Sequence, residues 1–155
     1  MKKIGLLILI SLVLYVLWIV GLEQWYAHLL YGGSKLLLSP FGNITPVLKT
    51  ELAHPDFCVA VGKEGYCMQL ELFGLSILLL LAWFIMKTFT AGKRVIKRAL
   101  ITIFIFYCMQ ILVMSTLALY DFSVIIQQIN NALRQGFAII AVFIIIYDAY
   151  VYGDR

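Results

Sequence analysis

Few side chains in this 155-residue chain could carry out covalent chemistry, because it has three cysteines and two histidines. A cysteine attacks a carbonyl only as the thiolate, and a free thiol has a pKa of about 8.5. Such a nucleophile needs a neighbouring His or Arg to lower the pKa of the thiol, and a donor to stabilise the oxyanion. Cys67 is the candidate nucleophile, with His54 and Arg134 as its candidate partners. No spacing signature links these three residues.

Cys67 could instead form a disulfide with Cys58. Residues 57–69 read FCVAV-GKEG-YCMQ, in which two runs of β-forming residues flank a four-residue turn, Gly62–Gly65. This pattern predicts a β-hairpin. With that turn Ala60 faces Cys67, and Cys58 lies on the same face, displaced by two residues. A shifted register or a bulge would bring the two sulfurs together, so the spacing permits the bond without requiring it.

Neither a metal ion nor a nucleic acid is expected to bind. His28 and His54 could in principle join the two cysteines around a metal. However, the sequence contains no HxxxH, CxxC or CxxH spacing of the kind that builds zinc sites. The net charge is only +4, and no stripe of basic and aromatic residues follows the chain. We therefore expect no metal, no other cofactor and no nucleic acid partner.

The composition indicates which elements must position these residues. Hydrophobic residues make up 63% of the chain and charged residues 13%, whereas charged residues make up about 25% of an ordinary soluble domain. A water-soluble domain of this size could not bury so much apolar surface in one core, whereas a lipid bilayer can solvate it. The sequence therefore predicts a single transmembrane domain over residues 1–155, with an all-α four-helix bundle as its fold.

Four apolar stretches predict the spans. Residues 4–22 are uncharged and reach about 28 Å as a helix, close to the thickness of the hydrocarbon layer. We expect a retained anchor rather than a cleaved signal peptide here, because bulky residues persist and no small-x-small site follows. The other spans are predicted over residues 68–86, 99–120 and 132–152, and residues 124–133 are expected to form a short interfacial helix. Residues 23–67 form the outer loop, which contains the hairpin and begins as helix or as an interfacial extension.

The distribution of charge predicts the orientation. Lys2 and Lys3 precede the first span, and the short connection between the second and third spans carries five basic residues and no acidic one. Short loops rich in Lys and Arg stay in the cytoplasm. Both termini are therefore expected in the cytoplasm and the 23–67 loop outside, where the redox environment permits a disulfide.

Gln110 is a polar residue near the middle of the third span. Such a residue usually faces a neighbouring helix and forms a hydrogen bond there, which contributes on the order of 1 kcal/mol. We expect an interhelical polar contact at Gln110 and plain packing at Cys108. The spans carry too little charge to line an ion path, so a small transporter or channel subunit ranks last among the alternatives.

Four segments together resemble the exosortases and archaeosortases, which are membrane cysteine transpeptidases that process C-terminal sorting signals. The segments are SKLLLSPFGN, EGYCMQLELFG with Cys67 at the mouth of a span, AGKRVIKRALI and LRQGFAII. The resemblance covers about residues 34–150 and implies a cysteine transpeptidase, or a non-catalytic member of that fold. The family arginine is absent from residues 107–113, and Asn131, Arg134 and Gln135 stand where the family has its histidine.

Two functions follow as expectations. The first is an accessory or scaffold subunit of an envelope or membrane complex in a bacterial-type inner membrane, which works through contacts with lipid and with other membrane subunits. It follows from the lack of a recognisable catalytic constellation and from helices whose apolar surface needs neighbours. The alternative is an exosortase-like cysteine transpeptidase or protease that acts outside the membrane.

Overall fold

The computed structural model describes residues 2–50, 54–61, 64–92 and 94–152, and the described chain is 80% helical. The long helices are α1 (Lys2–Leu17), α2 (Glu23–Leu38), α3 (Glu71–Ala91), α4 (Arg94–Ser115) and α5 (Val124–Tyr152). A π-helical turn, Trp18–Leu22, joins α1 to α2, and a 3-10 helix, Thr116–Phe122, follows α4. In the described ranges four helical segments are long and apolar enough to cross a membrane: Ile4–Leu38, Phe73–Ala91, Val95–Tyr120 and Val124–Tyr152. These four segments indicate a multi-pass membrane protein.

The last span differs from the sequence prediction, because residues 124–133 belong to the same helix as residues 132–152. Asn130, Phe137, Ala141 and Asp148 are buried, and their spacing repeats at three or four residues along the whole of α5. One continuous inward stripe of this kind favours a single 29-residue helix over a separate interfacial helix. The second span also begins later than predicted, because Met68 lies in a strand.

Helix α2 packs against α4. The chain turns at Gly21, whose φ of 156° lies in the region that L-residues avoid. Beyond this kink, Tyr26 contacts Gln110, and Leu29 accepts a hydrogen bond from Tyr107. Gly33 packs on Tyr107 as well. Residues 26–33 of α2 thus pack on residues 107–111 of α4.

A three-stranded antiparallel sheet completes the end of the bundle at which α3 begins. The strands are β1 (Ile44–Lys49), β2 (Asp56–Val61) and β3 (Glu64–Gln69), in the order β1-β2-β3. Phe57, Val59 and Met68 are buried in the core, so this face of the sheet covers the bundle. Pro46 lies in β1, where an edge strand tolerates its missing N–H.

The sheet corrects two sequence predictions. The all-α class with one hairpin missed β1, which makes a third strand. The four-residue turn was also wrong, because Val61 is opposite Glu64 and only two residues separate the strands. Those two residues, Gly62 and Lys63, lie outside the described residues.

Candidate functional site

The two cysteines of the sheet are joined by a disulfide. In the observed register Cys58 is directly opposite Cys67, with their Cα atoms 4.0 Å apart. Side chains alternate between the faces of a strand, so the pair lies on the face opposite to buried Phe57 and Met68. Cys67 is exposed on this outer face. A bonded sulfur carries no thiolate, so nucleophilic attack by Cys67 would first require reduction of this bond.

His54 lies beside the sheet and is paired with the start of α2. Its Nδ1 is 3.0 Å from Oε1 of Glu23. This hydrogen bond, and then the negative charges of Glu23, Glu71 and Asp56, raise the pKa of His54 above its ordinary value. The imidazole of His54 therefore links the segment before β2 to α2, and its hydrogen-bond partner is an acid rather than Cys67.

Gln110 joins three helices at the level where α3 begins. It is fully buried, and its Nε2 donates to the carbonyl oxygen of Phe73 and to Oγ of Ser76, each at 3.1 Å. Tyr26 donates its hydroxyl hydrogen to Oε1 of Gln110. The amide thus has partners on α2 and α3 while it belongs to α4, which is the geometry of an interhelical contact in a membrane.

A second buried amide, Asn130, joins α5 to the end of α4. Its Nδ2 lies 2.7 Å from the carbonyl oxygen of Val113 and 2.7 Å from Oγ1 of Thr116. Its Oδ1 accepts a hydrogen bond of 2.7 Å from the hydroxyl of Tyr120. The ring of Tyr120 packs edge-on against Tyr66 of β3, so this cluster connects the bundle to the inner face of the sheet.

Arg134 is one turn beyond Asn130 on α5, between two residues that are almost fully buried, Asn130 and Phe137. Its Nε is buried, and no described residue accepts a hydrogen bond from it. Arg134 therefore points into the bundle, whereas Cys67 lies on the outer face of the sheet and His54 pairs with Glu23. The structure does not bring the three candidate catalytic residues together.

Sequence reasoning missed a third polar cluster, at the opposite end of the bundle. Asp148 is only 6% exposed. It accepts hydrogen bonds from Nε1 of Trp83 at 3.0 Å and from Arg98 at 3.3 Å. Lys87 donates to the carbonyl oxygen of Tyr152. The signal in the sequence was an acid on the inward stripe of α5 together with basic residues at the ends of α3 and α4.

These clusters position the helices, and the buried Nε of Arg134 has no hydrogen-bond acceptor among the described residues. In that part of the chain no group of three His, Cys, Asp or Glu residues is arranged to hold a metal ion. Comparison of the chain with protein-family models, with curated proteins and with solved structures gives no match. The resemblance to exosortases stays a prediction.

Proposed function

We propose that this protein is an accessory or scaffold subunit that binds a transmembrane helix of another protein along one face of α5. The observation that supports this is a row of exposed amide side chains. Gln128, Asn131 and Gln135 are all exposed on α5 and follow one another at three or four residues, so they lie on one face of the helix.

The depth of these amides supports a protein partner over lipid alone. Asp148, bonded to Arg98, and the exposed Tyr150 mark one edge of the hydrocarbon layer. At about 1.5 Å per residue, Gln135 is about 20 Å and Asn131 about 26 Å from Asp148 along the helix. Both amides therefore fall within a hydrocarbon layer about 30 Å thick. An exposed amide there is stabilised by a hydrogen bond from a neighbouring helix.

The bonded state of Cys67 supports the contact function over the transpeptidase. A transpeptidase needs a free thiol with a base beside it, whereas the Cys67 sulfur is bonded and lies on the outer face of the sheet. The exosortase-like enzyme stays the alternative expectation, and nothing in the geometry favours the transporter.

We place the protein in a bacterial-type inner membrane with both termini in the cytoplasm and the sheet outside. Lys87, Lys97 and Arg98 lie at the end of the bundle where α3 connects to α4, which is the end expected to stay inside. Single-cysteine labelling of intact cells with an impermeant maleimide tests this orientation in a Cys108→Ser background. Thr45→Cys should react in intact cells, and Lys97→Cys only after permeabilisation. The reverse pattern would invert the topology.

Site-specific photo-crosslinking in membranes tests the contact function. A photoreactive residue at Asn131 or Gln135 should give discrete protein adducts that mass spectrometry identifies as the same partner. The matched control is Leu12, which is 60% exposed on α1 and should react only with lipid. The double variant Asn131→Leu, Gln135→Leu should co-purify about fivefold less partner. A stable monomer without adducts at either position would refute the proposal.

A further inference from the structure

We propose that the groove between α4 and α5 binds one acyl chain of an anionic phospholipid whose phosphate contacts Arg98. The groove has a volume of about 470 Å³ and runs from Thr102 and Tyr147 at one end to Met109 and Ile140 at the other. Its lining is mostly apolar, and the volume falls within the range of roughly 300–1,000 Å³ that is typical of small-molecule sites. This groove lies on a different face of α5 from Asn131 and Gln135.

A cation stands at the polar end of the groove. Arg98 precedes Thr102 by four residues, so it lies on the same face of α4, one turn beyond the end of the lining. Its guanidinium makes one hydrogen bond to Asp148 and covers the Tyr152 ring at 3.7 Å. A guanidinium has five N–H donors, and the side chain is 31% exposed. Donors therefore remain for a phosphate oxygen.

Arg98 lies at the level of the lipid headgroups. Tyr147 and Tyr150 are 65% and 89% exposed on the same turn of α5, as aromatic residues are at a membrane interface. A lipid whose phosphate lies at this level places its acyl chain along the groove, towards the centre of the membrane. Basic sites between transmembrane helices select anionic headgroups in this way. A partner helix would instead need a long face, and this groove extends over only about two helical turns.

Native mass spectrometry of the whole protein, released from nanodiscs of phosphatidylglycerol or of phosphatidylcholine, tests the proposal. The wild-type protein should retain phosphatidylglycerol about fivefold more than phosphatidylcholine, which corresponds to one cation near the headgroup. The double variant Arg98→Gln, Asp148→Asn removes the pair without leaving an unpaired acid, and it should lower the preference for phosphatidylglycerol. Asp148→Asn alone keeps the cation and should keep the preference.

The groove itself is tested by filling it. Thr102→Phe should lower the retention of both lipids severalfold, whereas Ile101→Phe, at a half-exposed position outside the lining, should leave it unchanged. The thermal midpoint of each variant checks that it is folded. Equal retention of the two lipids by the wild-type protein would overturn the proposal. An unchanged preference in the double variant, or unaltered binding in Thr102→Phe, would overturn it as well.

Discussion

The indole ring of Trp18 packs directly on the backbone of Gly74, and a Cβ added at residue 74 would lie 2.1 Å from Cζ2 of the ring. This close approach joins the end of the first helix to the start of α3. The substitution Gly74→Ala should therefore destabilise the protein by about 1–3 kcal/mol, because one of the two elements has to shift. Unfolding in a titration of denaturing detergent measures the effect.

Two further variants separate this clash from a general effect of alanine. At Gly136 an added Cβ has no neighbour within 4 Å, so Gly136→Ala should leave stability unchanged or raise it. Trp18→Phe shortens the ring that meets residue 74 and should restore part of the loss in the double variant. A neutral Gly74→Ala would show that the two helices do not meet here.

The bonds of Gln110 predict a measurable coupling between helices. Gln110→Leu removes the contacts to Tyr26, Phe73 and Ser76 and should cost about 1 kcal/mol of stability, as interhelical hydrogen bonds in membranes do. A double-mutant cycle with Tyr26→Phe isolates the Tyr26–Gln110 bond. Additive effects of the two substitutions would argue that the hydroxyl and the amide do not interact.

The pair formed by His54 and Glu23 predicts a dependence on pH. Because Glu23 raises the pKa of His54 in the folded protein, protonation favours the fold. This contribution is complete below the ordinary His pKa of about 6.5 and is lost as the pH rises through the raised value. An NMR titration of the imidazole measures that pKa, and His28→Gln assigns the signal.

Glu23→Gln should lower the pKa of His54 while leaving part of the shift, since the charges of Glu71 and Asp56 remain. An imidazole that titrates at or below 6.5 in the wild-type protein would contradict the pairing. So would a titration that Glu23→Gln leaves unaltered.

The Cys58–Cys67 bond predicts the number of reactive thiols. In denaturing detergent without reductant, a maleimide mass tag should add once, at Cys108, and with reductant it should add three times. Cys108→Ser should abolish the tag in the unreduced protein. Loss of the disulfide should lower stability by about 2–3 kcal/mol, from the loop-closure entropy of a short loop. Three tags without reductant would show free cysteines and would reopen the nucleophile hypothesis.

Hydropathy predicted the coarse architecture because lipid imposes one strong constraint on uncharged stretches of this length. The sheet depended on weaker signals. Pro46 makes residues 44–49 look like a loop, although an edge strand accepts proline. The turn was misjudged because both Gly62 and Gly65 favour turns, and the pairing of Cys58 with Cys67 depends on which residues the turn contains.

The candidate site was harder to predict, because polar contacts in this bundle join residues distant in the sequence. Gln110 could be found, since an amide in mid-span needs a partner, but its partner Tyr26 is 84 residues away. Asn130 lies in a stretch of mixed polarity, so its burial can be inferred only once residues 124–152 are known to form one helix. Cys67 and Arg134 were proposed as partners because of their chemical types. The alternation of side chains along β3 places Cys67 on the outer face of the sheet, whereas Arg134 points into the bundle.

Arg134 predicts a gain in stability when its charge is removed. A half-buried cation with no acceptor for its Nε among the described residues is costly in a membrane helix. Arg134→Met keeps the length of the side chain and should therefore raise stability by about 1 kcal/mol or more. Arg134→Lys keeps the positive charge but changes the shape of the cationic group, so its stability distinguishes the effect of the charge from that of the shape. A loss of stability in Arg134→Met would show that the guanidinium is bonded within the fold.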